Sequence, residues 1–450
     1  MMEWRRLLSR KRWDGTFFTE QDRHDEARTC FERDADRIVF SPEFRRLHDK
    51  TQVFPLSNHD VVHSRLTHSL EVACVGRSLG TLVGEKILKN HPELEGHYTK
   101  QDFGAIVYAA CLAHDIGNPP FGHFGESSIR SFFSRKYRDR EGWDDFRNYE
   151  GNAQSFRILC STSMPRPGGM KLTAATLGAV LKYPRGYVDM PSSPTSERQS
   201  TKKNGVFKTE MSPLSALASE VGLVSHMDMG VPCWSRHPLS ILVEAADDIC
   251  YVVLDVEDGI RLKLIKEEEN EEGKGVKSIL ARISKKSKDL KIEELRASAI
   301  DCLIRECASA FLEKEVGILQ GEKDTDRNLI DFLPQYLSDG LNDLRGCARE
   351  KCYRSEDVMA IEMAGFRVLD GLLELFVRSA MQRDGVGPDK EILEKTRQFL
   401  EVKKVLTSDK NCTDYEQIMK VVSYIGGMTD RYAMAMYQRL TGISLPERGI

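Results

Sequence analysis

Several features that would assign this sequence to a well-defined class are missing. The eleven cysteines are scattered along the 450 residues and form no C-x-x-C pair, which argues against a zinc ribbon or a disulfide framework and favours a reducing compartment. No stretch approaches the roughly 20 apolar residues of a membrane span, and the N-terminus lacks the apolar core of a signal peptide. The net charge of −4 at pH 7 argues against a protein permanently coated with nucleic acid. We therefore expect a cytoplasmic protein that makes no membrane contact.

Strand-like alternation of apolar and polar residues is also missing over any long stretch, whereas helical periodicity recurs along most of the chain. With 40% hydrophobic residues, the sequence can bury a large core. The main helical patterns cover residues 64–89, 101–115, 124–137, 150–161, 170–183, 237–266, 291–315, 353–383 and 428–441. The sequence therefore predicts an all-α fold with at most a short β-hairpin near residues 53–62.

The densest basic run of the sequence lies close to the N-terminus. It comprises Arg5, Arg6, Arg10, Lys11 and Arg12. A solvated surface is one interpretation of such a run. The other interpretation is a contact with a second subunit or with phosphate groups.

One segment offers two adjacent residues that could bind a metal ion. An apolar helical run over residues 103–112 leads to His114 and Asp115, after which Gly117 and two prolines turn the chain away. Adjacent residues of a helix point about 100° apart, so this pair can converge on one object only from the last turn. Imidazole nitrogen and carboxylate oxygen together suit Mn, Fe, Zn or Mg. Because an isolated His-Asp pair more often caps a helix, a metal site here needs ligands from elsewhere.

Two other helical stretches offer the missing ligands. His68 lies in an amphipathic helix together with Leu66 and Leu70. Asp247 and Asp248 interrupt an otherwise apolar helix, where a carboxylate needs a cation, a hydrogen-bond partner or solvent. Either aspartate satisfies this reasoning.

The order His68, His114-Asp115, Asp247 resembles that of the HD-domain metal phosphohydrolases. The flanking segments are similar to those of the deoxyguanosine triphosphate triphosphohydrolases within that group. These segments are RLTHSLEV (65–72), HDIGNPPFGHFGE (114–126), EGNAQ (150–154), KYP (182–184), EAADDI (244–249) and GMTD (427–430). The resemblance covers nearly the whole chain. It favours Asp247 over Asp248 as the ligand, because Asp247 lies four residues before Tyr251, as in the family pattern.

His123 and Glu126 are the candidates for proton transfer. Hydrolysis of a phosphate ester requires a proton for the leaving oxygen, and an imidazole transfers protons well at neutral pH. His123 lies beyond the turn that follows His114, so it can face the metal from another segment. Glu126 follows at the i+3 spacing of a helix, where it can orient the imidazole and raise its pKa. The family resemblance assigns the catalytic proton transfer to this pair.

Three residues are candidates for binding the phosphates of a substrate. Arg65 lies three residues before His68 on the same helical face, so its guanidinium can reach phosphate oxygens beside the metal. The resemblance adds Lys182 and Tyr183 as contacts of a triphosphate. A lysine at a helix end that extends to solvent is the alternative for Lys182.

Three further residues are assigned to the sugar by the resemblance. Tyr251 and Asp255 follow Asp247 at i+4 and i+8, on one stripe of one helix. In the family, the tyrosine occupies the space where a 2'-hydroxyl would lie, and the aspartate accepts a hydrogen bond from the 3'-hydroxyl. Gln52 corresponds to a glutamine that lies at the sugar and helps to reject a ribose.

The resemblance implies a fold with an HD-domain helical core and additional C-terminal helices. Residues 1–30 would form an N-terminal arm, and residues 31–265 the catalytic core. Residues 184–213 are rich in Pro, Ser and polar side chains, so we expect a mobile insertion there. Residues 276–450 would form a helical region packed on the core.

The implied activity is hydrolysis of a deoxynucleoside triphosphate, preferably dGTP, to the deoxynucleoside and inorganic tripolyphosphate with a divalent ion, Mn²⁺, Mg²⁺ or Fe²⁺. One alternative is an HD-domain nucleotidase or phosphodiesterase that acts on other nucleotides. Another is a nucleotide- or single-stranded-DNA-binding module in which hydrolysis is secondary. The resemblance also implies a homo-oligomer, a hexamer or a tetramer, with single-stranded DNA or a nucleotide as a further effector.

Overall fold

The structure is a computed structural model and describes residues 1–20, 27–52, 63–160, 169–186, 198–228, 230–267, 275–381, 389–406 and 412–444. Nineteen α-helices and two two-stranded sheets form the regular structure of these residues. The all-α fold predicted from the sequence is therefore confirmed. Among the helices of these ranges, none combines the length and the apolar character that crossing a membrane requires.

The helices and strands are numbered in chain order. The helices are α1 Trp4–Leu7, α2 Cys30–Val39, α3 Pro42–Arg46, α4 Arg65–Asn90, α5 Lys100–Ala113, α6 Gly122–Lys136, α7 Asp144–Arg147, α8 Gly151–Cys160, α9 Ala174–Val180, α10 Met211–Val221, α11 Pro238–Arg261, α12 Val276–Ser284, α13 Ile292–Glu313, α14 Glu315–Gln320, α15 Gln335–Lys351, α16 Glu356–Met381, α17 Lys390–Val402, α18 Asp414–Gly426 and α19 Asp430–Leu440. The antiparallel strand pairs are β1 Arg12–Trp13 with β2 Phe18–Thr19, and β3 Ser225–Asp228 with β4 Val231–Trp234.

Two local differences separate the sequence prediction from the structure. Helix α9 is shorter than the predicted 170–183 segment. The side chain of Thr173 caps its N-terminus, and it ends before Tyr183, because a residue that precedes proline disfavours the helical conformation. Neither the β1–β2 pair nor the β3–β4 hairpin was predicted, since strands of two to four residues are too short to show a clear alternation. The hairpin predicted near 53–62 lies outside the described residues.

Helices α4, α5 and α11 pack side by side and carry the candidate metal ligands. Gly80 permits the close approach of α4 and α5, because a Cβ at this position would lie 2.7 Å from the carbonyl oxygen of Phe103. Helix α11 begins with Pro238, a residue whose fixed φ suits the first helical position. The ring of His237 caps this helix by accepting a hydrogen bond from the backbone N–H of Leu239 at 3.2 Å.

Two hydrophobic cores stabilise the described helices. The larger core extends from Met2 to Cys352 along the chain and surrounds α4, α5 and α11. The smaller core joins α6 and α7 to α16, α17, α18 and α19. In the described part of the 184–213 segment, Val206 and Phe207 are buried. The predicted domain boundaries and the mobility of that segment stay predictions.

Candidate active site

His68, His114 and Asp247 come together where α4, α5 and α11 meet. One ligand atom from each side chain lies within 4.8 Å of the other two. Nε2 of His68 is 3.1 Å from Oδ1 of Asp247, and Nε2 of His114 is 3.6 Å from the same oxygen. No second group of three potential ligands is found in the part of the chain that the structure describes.

The imidazole of His114 is oriented as metal-binding histidines are. Its Nδ1 donates a hydrogen bond to the backbone carbonyl of Cys111 at 2.6 Å, which fixes the tautomer and leaves Nε2 for a ligand. This buried Nε2 has no hydrogen-bond partner among the described residues. Burial opposes the charged imidazole, but the carboxylates of Asp115 and Asp247 outweigh it and raise the pKa of His114 to about 9. The geometry of the three side chains and the unpaired Nε2 of His114 fit a divalent metal ion, on which HD domains typically depend.

Asp115 lies beside this group of three without joining it. Its Oδ2 forms an ion pair with the guanidinium of Arg65, and its Oδ1 accepts a hydrogen bond from Nδ2 of Asn118 at 2.6 Å. Nε2 of His114 lies 3.6 Å from that Oδ1. Its role as a metal ligand stays a prediction, and in this structure Arg65 and Asn118 orient the carboxylate.

His123 and Glu126 form the contact that their spacing predicts. Nδ1 of His123 is 3.0 Å from Oε2 of Glu126. The imidazole is 83% exposed while the carboxylate is 2% exposed. His123 therefore faces solvent, and the buried carboxylate of Glu126 orients it. Oε1 of Glu126 accepts a hydrogen bond from the backbone N–H of Gly151 at 2.7 Å. Burial opposes ionisation of Glu126, but the contacts with His123, together with the Lys203 cation and the backbone N–H of Gly151, outweigh it and lower the pKa of the carboxyl group.

A further cation near this pair was missed in the sequence. Nζ of Lys203 lies 2.9 Å from Oε2 of Glu150, and Oε1 of Glu150 lies 3.3 Å from Arg130. Arg130 in turn lies 3.7 Å from Glu126. Lys203 belongs to the segment interpreted as an insertion, where two adjacent lysines among polar residues gave no sign of a contact with α6 and α8.

Lys182 and Tyr183 lie next to a buried ion-pair network. Nζ of Lys182 is 3.1 Å from Oε1 of Glu244 and 5.9 Å from the centroid of the Tyr183 ring. The other carboxylate oxygen of Glu244 lies 2.6 Å from Arg236. Burial opposes protonation of Lys182, but the Glu244 carboxylate, together with Tyr183, Asp247 and Asp248, outweighs it and raises the pKa of the amine. Lys182 is therefore a charged group whose position Glu244 fixes.

The predicted sugar contacts Tyr251 and Asp255 lie on one stripe of α11, where Tyr251 is exposed and Asp255 is buried. Tyr251 is 38% exposed, and its ring centroid lies 6.1 Å from that of Tyr353. The hydroxyl group of Tyr353 donates a hydrogen bond to Oδ2 of Asp255. Burial raises the pKa of Asp255 to about 7. Tyr353 thus contacts both predicted sugar residues of α11, a role that no sequence pattern indicated.

The two adjacent aspartates of α11 have different partners. Asp247 lies in the group with the two histidines, whereas Oδ1 of Asp248 accepts a hydrogen bond from Nη2 of Arg345 at 3.1 Å. Arg345 lies on α15, 97 positions further along the chain, so no local pattern could have related them. This geometry supports the choice of Asp247 as the ligand and brings a second arginine to the site.

Gln52 lies at the end of a described range, and its neighbours contact the C-terminal helices. Its half-buried side chain has an Oε1 atom with no hydrogen-bond partner among the described residues. The backbone N–H of Thr51 donates to Oδ2 of Asp430 at 3.0 Å. Nζ of Lys50 donates to the carbonyl of Gly426 at 2.9 Å. Oδ1 of Asp430 also accepts from the backbone N–H of Phe121, at the turn before α6, at 3.0 Å.

Family models define the class of protein to which this fold and this group of ligands belong. The HD domain model matches residues 65–163, which include two of the three clustered ligands. The phosphohydrolase-associated domain model matches residues 332–439, which include Arg345 and Tyr353. The protein is therefore an HD-domain hydrolase.

Full-length relatives identify the family within the HD-domain hydrolases to which this chain belongs. A deoxyguanosinetriphosphate triphosphohydrolase-like protein of Synechocystis sp. is 41% identical over 99% of this chain and 100% of its own length. A protein of the same name from Pseudomonas aeruginosa is 36% identical over the same shares. A deoxyguanosinetriphosphate triphosphohydrolase of Enterobacter sp. is 30% identical over 92% of this chain and 94% of its own. The chain belongs to the deoxyguanosinetriphosphate triphosphohydrolase-like family of HD-domain proteins.

Proposed function

We propose that this protein is a metal-dependent deoxynucleoside triphosphate triphosphohydrolase that converts dGTP and water to deoxyguanosine and inorganic tripolyphosphate. The observation that carries the proposal is a group of three clustered metal ligands accompanied by more cationic side chains than a monophosphate needs. Arg65 contacts Asp115 beside the ligands, and Lys182 and Lys203 are held by Glu244 and Glu150. The names of the full-length relatives support the same substrate.

The cationic side chains would bind the triphosphate. A guanidinium can hold two phosphate oxygens at once, which suits Arg65 next to the α-phosphate. Lys182 and Lys203 keep free N–H donors while they contact Glu244 and Glu150, since an ammonium group has three. A bound Mn²⁺, Mg²⁺ or Fe²⁺ ion held by the clustered ligands would supply positive charge at the phosphoryl group and a more acidic water.

His123 would give the proton to the leaving oxygen of the sugar. Glu126 accepts a hydrogen bond from Nδ1 of His123 and directs Nε2 outward, where a substrate atom can receive the proton. The backbone N–H of Gly151 fixes the other oxygen of the carboxylate, so Glu126 cannot rotate freely. Glu126 therefore holds the imidazole in the orientation that a proton donor requires.

Rejection of ribonucleotides would rest on Gln52, Tyr251 and Asp255. A site that fits a deoxyribose must either clash with an added 2'-hydroxyl or leave it without a partner. Asp255 is held by the hydroxyl group of Tyr353 through one oxygen, which leaves the other to accept from a 3'-hydroxyl. The ring of Tyr251, more than one third exposed, offers the surface that would lie beside C2'.

Incubation with each of the four dNTPs and four NTPs, with Mn²⁺ or Mg²⁺, tests the proposal. Chromatography that separates tripolyphosphate from pyrophosphate and orthophosphate identifies the bond that is cleaved. Tripolyphosphate from dGTP, with little product from GTP, is the expected result. Orthophosphate as the main product would support the nucleotidase or phosphodiesterase alternative. Tight binding of nucleotides without turnover would support a binding module. The homo-oligomer, the effector and the cytoplasmic location predicted from the resemblance stay predictions.

A further inference from the structure

A basic groove is formed by the N-terminal segment, and none of the active-site residues described above lines it. Its volume is about 820 Å³, which lies within the usual range of small-molecule sites. The side chains around it come from the first strands and helices, from Tyr98 and from the end of α10. They are Arg5, Arg6, Ser9, Arg10, Lys11, Arg12, Phe17, Phe18, Glu20, Cys30, Tyr98, Ala216, Ser219 and Glu220.

Two of the five cations in this groove are neutralised by carboxylates. Nζ of Lys11 lies 3.1 Å from Oε2 of Glu220. The buried guanidinium of Arg12 lies 2.6 Å from Oδ1 of Asp34, which is itself fully buried. These two side chains hold the N-terminal segment against the core, and their charges have partners.

The other three cations keep their charge. The guanidinium of Arg6 donates to the backbone carbonyl of Ser219. That of Arg10 donates to the carbonyl of His97 and lies 4.8 Å above the ring of Tyr98. A carbonyl oxygen orients a guanidinium without neutralising it. Arg5 is exposed and forms neither an ion pair nor a hydrogen bond within the described residues.

We propose that this groove binds the phosphate chain of a polyphosphate anion. Three oriented or free guanidinium groups, against the single further carboxylate of Glu20, leave an excess of positive charge around one small groove, an arrangement that a multiply charged anion relieves. The chain can come from inorganic tripolyphosphate or from a nucleoside triphosphate, whose base would have the 67% exposed ring of Phe17 beside the groove. A single-stranded nucleic acid fits less well, because such sites offer several aromatic rings to successive bases. The inference does not depend on the activity proposed above.

Titration calorimetry of the full chain with inorganic tripolyphosphate, in EDTA and at low salt, tests this site. The wild-type protein should bind one tripolyphosphate ion in the groove, in addition to any that the active site binds. The triple variant Arg5→Gln, Arg6→Gln, Arg10→Gln should bind one tripolyphosphate ion fewer than the wild type. Arg5→Gln alone, which removes no hydrogen bond or ion pair of the described residues, should weaken binding in the groove roughly threefold to tenfold.

A matched control removes three positive charges elsewhere. Lys286, Lys288 and Lys291 are exposed between α12 and α13, and their replacement by Gln should leave both sites intact. Parallel titrations with dGTP and ATP identify the source of the phosphate chain. Affinities equal to that of tripolyphosphate would show that the groove recognises the phosphates alone, and tighter binding of the nucleotides would show that it also contacts the base. Three results would overturn the proposal. They are the same number of tripolyphosphate ions bound by wild type and triple variant, an equal loss of binding in the control variant, and binding of an oligonucleotide in place of tripolyphosphate.

Discussion

We expect His63 to contribute stability that depends on pH, because this residue links the start of α4 to α11. Its Nδ1 lies 2.7 Å from Oδ1 of Asp258, and its backbone N–H donates to the other carboxylate oxygen at 3.1 Å. Its Nε2 lies 3.2 Å from Oε1 of Glu71. The hydrogen bond with Asp258, followed by that with Glu71, raises the pKa of His63 from 6.5 to about 10.

The direction and the size of the effect follow from this pKa. Because the folded pKa lies above the unfolded one, the native state binds more protons between pH 6.5 and about pH 10. The stabilisation is therefore complete below pH 6.5 and is lost as the pH rises through about 10. Such a pKa difference corresponds to roughly 5 kcal/mol at most. Since the ring is 15% exposed, solvent screening reduces the expected value to about 2–3 kcal/mol.

Urea unfolding of wild type and His63→Gln at pH 6, 8 and 10.5 measures this contribution. Subtracting the two free energies of unfolding at each pH cancels the other titrating groups that the proteins share. The difference should be largest at pH 6 and smallest at pH 10.5. Glu71→Gln is the control: its partly exposed carboxylate should change stability by less than about 1 kcal/mol. A difference that stays constant, or that grows with pH, would refute the reasoning.

Four further predictions concern the site and its supporting helices. Asp247→Ala should abolish metal binding while the helical fold persists; full metal content with normal turnover would shift the ligand assignment to Asp248. His123→Ala should keep the metal and lose roughly two to four orders of magnitude in kcat, as single-turnover assays can show. Tyr251→Ala should raise kcat/KM for GTP relative to dGTP, and an unchanged ratio would contradict its position beside C2'. Gly80→Ala should cost about 1–3 kcal/mol by forcing α4 from α5, as a lower Tm by circular dichroism would reveal.

Local patterns in the sequence predicted most of the helices. Helix α4 follows a serine whose side chain caps it, and α11 corresponds to a mainly apolar run that a few acidic residues interrupt. Such patterns act within one or two turns, so neighbouring residues suffice to recognise them. The group of His68, His114 and Asp247 was reached through the family resemblance, because spacing alone left Asp248 as an equal candidate.

Sequence patterns could not predict the contacts between distant segments. Arg345 and Tyr353 meet α11 across separations of 97 and 98 residues, and Lys203 meets Glu150 across the whole of α8 and α9. The orientation of Asp115 depends on Arg65, a residue of another helix. These positions follow from how the helices pack, and no periodicity in the chain encodes that packing directly.

The contacts of Lys50 and Thr51 with Gly426 and Asp430 set an order of events during synthesis. A chain still attached to the ribosome can present α4, α5 and α11, since segments fold from the N-terminus as they emerge. Such a chain does not yet contain Asp430, whose carboxylate accepts hydrogen bonds from Thr51 and from the turn before α6. We therefore expect nascent chains to be inactive until the C-terminal helices are released, so that translation itself delays the onset of hydrolysis.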